Sequence, residues 1–249
     1  MNRLCLLLTA AALVLLPGLA LAQRGARGQG APNAKADAAI DITGDWVSYV
    51  SEDWKFRMLT PRKGDYDLVP LTPAGRALAD AWDPAKDERE GGQCKSYGAG
   101  AVMRAPGRIR ISWESDNVLR MDTEAGTQTR LFRFGESQPQ SAEPTWQGQS
   151  VAEWQYARTA RGQPRTGSLK VVTTKLRAGY LRKNGVPYSA NAVVTEYYRR
   201  LTTPNGEQWL IVISEVNDPA NLTTRFVTST QFKKVPNGSG WNPEPCSAR

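Results

Sequence analysis

The chain has 249 residues, 40% of them hydrophobic, with 32 Lys and Arg against 24 Asp and Glu and a formal net charge of +8. It contains no histidine, which excludes Ser-His-Asp and Cys-His catalysis and His-ligated zinc, copper or non-haem iron. The three cysteines, Cys5, Cys94 and Cys246, are too few for structural zinc or iron–sulfur clusters, so neither a cofactor nor a metal is expected.

Met1-Asn2-Arg3 is a positively charged start, residues 4–16 are an apolar run, and Ala20-Leu21-Ala22 is a small-x-small site. Residues 1–22 therefore read as a secretory signal peptide cut after Ala22. The run is too short and too close to Pro17-Gly18 for a membrane span. Cys5 stands at the front of that run rather than after it, which argues against lipidation. No later segment approaches the ~18 apolar residues a span requires, so no integral membrane span is expected. The mature chain is expected in the periplasm or outside the cell. Residues 23–39 are Gly, Ala, Pro and charge without apolar period, a flexible leader. Residues 40–249 are then one domain, long enough to bury a core.

Within that domain period-2 alternation dominates. It predicts strands over 45–50, 54–59, 66–70, 101–104, 108–114, 118–123, 128–134, 151–157, 168–176, 192–201, 208–216 and 225–233. Turn signals separate many of them, among them Pro106-Gly107, Ser115-Asp116-Asn117 and Pro204-Asn205-Gly206. The spacing predicts an all-β fold, a closed antiparallel up-and-down β-barrel of about 8–10 strands, a sandwich being the other arrangement it allows. One short helix is expected over 74–82, with Thr72 as its cap and Pro73 at its first position. Asp83-Pro84 stops it, and a charged loop leads to Cys94. After signal cleavage Cys94 and Cys246 remain. An oxidising compartment permits a disulfide between them, with two free thiols as the alternative. Closing so long a loop stabilises by roughly 4–5 kcal/mol in the chain-entropy model.

The strand faces are unusual in content. Over 54–59, Trp54, Phe56 and Met58 share one face and Asp53, Lys55 and Arg57 the other. Over 108–114, Ile109, Ile111 and Trp113 oppose Arg108, Arg110 and Glu114. Gln128, Arg130, Phe132 and Phe134 fall together, as do Val194, Glu196, Tyr198 and Arg200. Such faces suit a polar barrel lumen as well as they suit solvent, where long basic side chains lie across an outer wall. The basic excess points to anionic partners. The cations are scattered, with no block of five, so no nucleic-acid partner is expected.

Gly44-Asp45-Trp46, just past the leader, resembles the Gly-x-Trp signature of lipocalins. The resemblance implies an up-and-down calycin-type barrel whose Trp closes one end beneath a cation from the last strand, here Arg225, Lys233 or Lys234. A cysteine near the C-terminus tying the tail to the wall is similar to that family too. The family's Thr-Asp-Tyr motif and long C-terminal helix are absent. The chain also resembles a set of secreted bacterial proteins of unknown role, through Glu52-Asp53-Trp54 and Asn184-Gly185-Val186-Pro187-Tyr188. That likeness implies no activity.

Two functional readings follow. In the first, the lumen binds a small amphipathic ligand, an anion being one option, with Arg57, Arg110, Arg130 and Arg182 fixing charge and Trp54, Trp154, Tyr180 and Tyr188 stacking on its body. Arg57 and Arg130 are expected near the mouth. The connection over 177–191 carries Tyr180, Arg182, Lys183 and Tyr188 and reads either as a binding loop or as a solvated turn on Asn184-Gly185. In the second, an enzyme uses Glu153 or Glu196 as general acid–base with Tyr198 or Arg130 as stabiliser, which suits a lyase, isomerase or hydrolase. Its counterpart is that these carboxylates pair with neighbouring cations for structure.

Overall fold

A computed structural model of the chain describes residues 33–135, 143–158, 160–161 and 166–248. The expected signal over 1–22, its cut after Ala22 and most of the expected leader lie outside them. In chain order the elements are β1 (Gly44–Tyr49), α1 (Trp54–Met58), α2 (Pro73–Asp80), α3 (Pro84–Arg89), single-turn 3-10 segments at Lys95–Tyr97 and Val102–Arg104, then β2 (Arg108–Ser115), β3 (Val118–Thr123), β4 (Ala125–Gly126), β5 (Gln128–Phe134), β6 (Gln149–Tyr156), β7 (Gly167–Thr174), β8 (Gly179–Arg182), β9 (Val186–Tyr188), β10 (Val193–Thr202), β11 (Gln208–Asn217), β12 (Phe226–Val235) and β13 (Glu244–Pro245).

Nine of these strands close a barrel in the ring order β1-β12-β11-β10-β7-β6-β5-β3-β2, with β1 also pairing β2. They correspond to nine of the twelve predicted strands. The architecture, a closed β-barrel with few helices, is that of a calycin-like barrel in general. It corrects the expectation of a purely antiparallel sheet, because β5 and β6 run parallel. An odd number of strands cannot alternate in direction around a closed ring, so one pair must be parallel. The connection over 135–148 has the dozen or so residues that a parallel crossover needs.

The other three predicted strands are corrected. Residues 54–59 begin with the helix α1. Trp54 and Met58, two apart in a strand pattern with Phe56, are also four apart and so share a helical face. Residues 101–104 form a 3-10 turn. Over 66–70 Leu68 takes a left-handed φ of 66°, which breaks an extended run. The predicted helix appears as α2, with Thr72 Oγ1 accepting from Gly75 N at 3.0 Å. Gly75 is required there, since a Cβ would stand 2.4 Å from Asn221 O.

The inward faces are those the alternation grouped. Ile109, Ile111, Leu119, Met121, Phe132, Leu169, Val171, Tyr198, Leu210, Val212 and Phe232 pack round Trp46 in one apolar cluster. A second cluster lies under α2 and the β8–β9 hairpin, with Tyr66, Ala79, Leu181, Val186, Tyr188, Val194, Val216 and Phe226. Trp46 is fully buried, donates from Nε1 to Ile42 O at 3.0 Å, and lies beneath Lys234 Nζ, 5.2 Å from the ring centroid. Of the three cations proposed to cap it, Lys234 is the one that does, because β1 and β12 pair Trp46 with Lys234. The chain between Asn33 and Ile42 meets the same end: Ala34 is buried, and its carbonyl accepts from Trp154 Nε1 at 2.7 Å.

Cys94 and Cys246 form a disulfide. It fastens the tail beside β4, where β13 pairs in parallel. Among the described residues, no helix is long and apolar enough to cross a membrane.

Candidate functional site

Two buried polar constellations bring together residues singled out from the sequence. The first is inside the barrel. Arg130 on β5 and Glu196 on β10 meet in a two-pronged pair, Nη1 to Oε1 at 2.9 Å and Nη2 to Oε2 at 2.5 Å. Nη2 also donates to Thr173 Oγ1 at 3.3 Å, and Thr173 is bonded to Ser150 at 2.8 Å. Burial alone would depress the Arg130 guanidinium; the Glu196 charge and Tyr198 beside it hold it above its ordinary range. Tyr198 is pushed well above the usual phenol value, first by burial and then by Glu196. Its hydroxyl stands next to the pair without a hydrogen bond of good geometry. Both carboxylate oxygens are tied to one guanidinium, and packed apolar side chains occupy the lumen around them.

The second constellation lies where β1 leaves the barrel and β2 enters it. Here α1, the 3-10 segment Val102–Arg104 with the residues after it, and the β8–β9 hairpin converge on a recess of about 40 Å³. One water needs ~10–15 Å³ by this measure, so the recess has room for a group of a few heavy atoms, such as a carboxylate or the oxygens of a phosphate. It adjoins a cleft of about 450 Å³ that shares Arg57, Ala105, Pro106 and Lys183 and reaches the C-terminal tail at Asn242 and Glu244.

Three arginines line this end. Arg57 donates from Nε to Arg104 O at 3.0 Å and from Nη1 to Glu52 at 2.5 Å, while its Nη2 has no partner. Arg104 directs both Nη atoms to one oxygen of Asp53 at 3.2 Å. Asp53 is positioned to cap α1 but does not cap it; the arginine draws its side chain away, and its φ is 50°. Arg182 differs from both. It is 3% exposed, and none of its three guanidinium nitrogens has a hydrogen-bond partner. Its cation lies 3.9 Å from the Phe56 centroid and 5.9 Å from that of Phe226.

The electrostatics follow from that packing. Arg182 is lowered to about 10, first by burial and then by the charge of Arg104; Asp53, Asp65 and Asp67 oppose this without cancelling it. Burial also lowers Arg57 and Arg104, with Glu52 and Asp53 respectively opposing it. The protein therefore supplies carboxylates for two of the three arginines and leaves the third, in the wall of a recess, without one. Buried donors without partners are costly, and an isolated buried cation more so. Stacking on Phe56 offsets part of this. A bound anion would satisfy the rest.

The structure brings Arg57 and Arg182 together and sets Arg130, Glu196 and Tyr198 together inside the barrel. The remaining residues singled out from the sequence are elsewhere. Arg110 forms a bidentate pair with Asp45 on the outer wall and lies 4.5 Å from the Trp241 ring. Glu153 is also on the outer wall, paired with Lys170 at 2.9 Å. It shares no chamber with Glu196, because β7 sets Lys170 against Glu153 and Val171 against Glu196. Trp154 stacks on Phe134 at the far end. Tyr180 donates to Asp87 at 2.8 Å, and burial followed by Asp87 pushes its phenol up. Tyr188 is buried across Gly98, Gly100 and Gly179, with its hydroxyl unpartnered and its phenol raised by burial. Trp54 stands in solvent on α1.

Sequence reasoning missed Arg104 and Phe56 as members of one site with Arg182. A signal was present for Arg104, the lone charge in the small and apolar run 98–106. The two stretches that carry the second resemblance, Glu52-Asp53-Trp54 and 184–188, lie beside the recess, one opening α1 and the other following Arg182. Compared with family models, with curated proteins and with solved structures, the chain matches none.

Proposed function

We propose that this protein is a secreted or periplasmic binding barrel of lipocalin-like descent, taking a small amphipathic anion at the arginine recess rather than deep in its lumen. One observation carries the reading: Arg182, whose guanidinium is buried on Phe56 with no hydrogen-bond partner, belongs to the wall of a small recess. A planar five-donor fork suits a carboxylate or phosphate head. Met58 and Leu59, which line the cleft and the recess, offer an apolar surface for the body. The disulfide supports an oxidising compartment, and Lys234 over Trp46 supports the lipocalin likeness.

The lumen's acid–base groups serve this reading as structure. Glu196 spends both oxygens on Arg130. The test is calorimetric titration of the mature protein with hexyl phosphate, hexanoate and hexanol below their aggregation limits. The two anions should bind and the alcohol should not. Arg182→Met should weaken the anions at least tenfold. Equal binding of the alcohol, or anion binding indifferent to Arg182, would overturn the reading.

A further inference from the structure

Three large apolar side chains stand in solvent beside the recess: Trp54 is 62% exposed, Met58 55% and Leu59 61%. Trp54 and Met58 share one face of α1, and Leu59 follows directly. These side chains are continuous with the charged site, since Met58 lines the cleft and Leu59 the recess with Arg182. Exposed cations flank them: Arg62 and Lys63 just beyond the helix, and Lys55 on it, which is paired with Asp65 at 2.7 Å. Scattered exposed apolar residues need no explanation, but a cluster of large ones bordering a ligand recess marks an interaction surface. Tryptophan beside Lys and Arg is the composition of a surface that sits where an acyl layer meets anionic headgroups.

We propose that this end of the barrel docks on anionic phospholipid bilayers, with Arg182 and the unpartnered Nη2 of Arg57 receiving one headgroup phosphate and Trp54, Met58 and Leu59 entering the acyl boundary. The proposal rests on the anion reading above and names the source of the anion. The head comes to the recess already attached to an apolar body, and the side chains that meet the body are those left bare by the fold. A free inorganic phosphate would use the arginines and leave Trp54 and Leu59 without a role.

The experiment uses the mature full chain and three probes. Vesicles of phosphatidylcholine alone and with phosphatidylglycerol are sedimented with the protein, and micelle-free dihexanoyl phosphatidylglycerol is titrated in solution. The phosphatidylglycerol vesicles should carry the protein down and shift its Trp emission to the blue; the neutral vesicles should not. Trp54→Ser should reduce vesicle binding at least tenfold and leave the short-chain lipid's affinity within threefold. Arg182→Met should reduce both. Both variants alter groups the barrel does not need for closure, and far-UV circular dichroism checks that they fold. Short-chain binding without vesicle binding would overturn the docking and leave the anion reading standing. Absence of both with the wild-type protein would overturn both, and vesicle binding indifferent to the two substitutions would place any docking on another surface and overturn this one.

Discussion

Arg130 and Glu196 face each other inside the barrel with side chains fully buried, joined at Nη2–Oε2 by 2.5 Å, between an apolar cluster round Trp46 and another under α2. Each is the other's counter-charge. Removing one leaves a buried ion uncompensated, which typically costs ~3–5 kcal/mol. Arg130→Met and Glu196→Leu are each expected to destabilise on that scale in urea unfolding. The double variant should lose less than either single one. Additive losses would show that the pair is not coupled.

Arg182 presents the opposite case, a buried cation the protein leaves without a hydrogen bond. Its lowered value of about 10 means that folding disfavours its charged form at neutral pH. That penalty is relieved only as pH rises through about 10 toward the unfolded value. Arg182→Met keeps an apolar, unbranched side chain there and removes the charge. It is expected to raise stability by about 1–2 kcal/mol, a Tm rise of roughly 2–8 °C, while anion binding is lost. Scanning calorimetry at pH 7 checks it; a fall in Tm would mean that the guanidinium is held by structure.

How much of this was legible in the sequence follows from what each pattern can carry. Alternation over 108–114 and 192–201 located strands and faces, because a closed sheet buries one side of every strand. The same period misread 54–59, where five residues satisfy both a strand and a one-turn helix. The partnership of Arg130 with Glu196 was legible only as two inward faces; register brought the side chains together. The recess was half legible. Arg57 stood out among the charges beside Trp54 and Phe56, and Arg182 with Lys183 between Tyr180 and Tyr188. Arg104 joined them only through the folding of 98–107 against the hairpin, a long-range contact no local period records.

Asp45 is held below the usual carboxylate range first by its hydrogen bonds from Arg110, with burial opposing and Gly238 N assisting. A depressed acid stabilises fully above its unfolded value near 3.9, and the contribution is lost as pH falls through the lower folded value. Stability should therefore drop as pH is lowered below about 4, and Asp45→Asn should flatten that part of the curve. An unchanged acid limb would assign the loss to other carboxylates.

Gly98 sits where a Cβ would come 2.2 Å from the Tyr188 hydroxyl and 2.9 Å from Trp146 O. Gly98→Ala should destabilise by about 1–3 kcal/mol through overpacking. Tyr188→Phe removes a buried hydroxyl without a partner and should be neutral or stabilising. It should also return part of the Gly98→Ala loss. Thermal melts of the two singles and the double form the cycle, and a double variant worse than the sum would contradict it.

The disulfide joins residues 152 apart in sequence. Cys94→Ser with Cys246→Ser should cost about 2–5 kcal/mol while retaining the barrel's far-UV spectrum. Mass spectrometry should find no free thiol at either position before reduction.

The central claim is that Arg182 awaits an anion, and the most direct measurement is the Tm of the wild type and of Arg182→Met across a hexyl phosphate titration. The account predicts a wild-type Tm that climbs with ligand concentration by mass action, and a variant that starts higher and stays level. A wild type that does not respond, or two parallel rising curves, would contradict it.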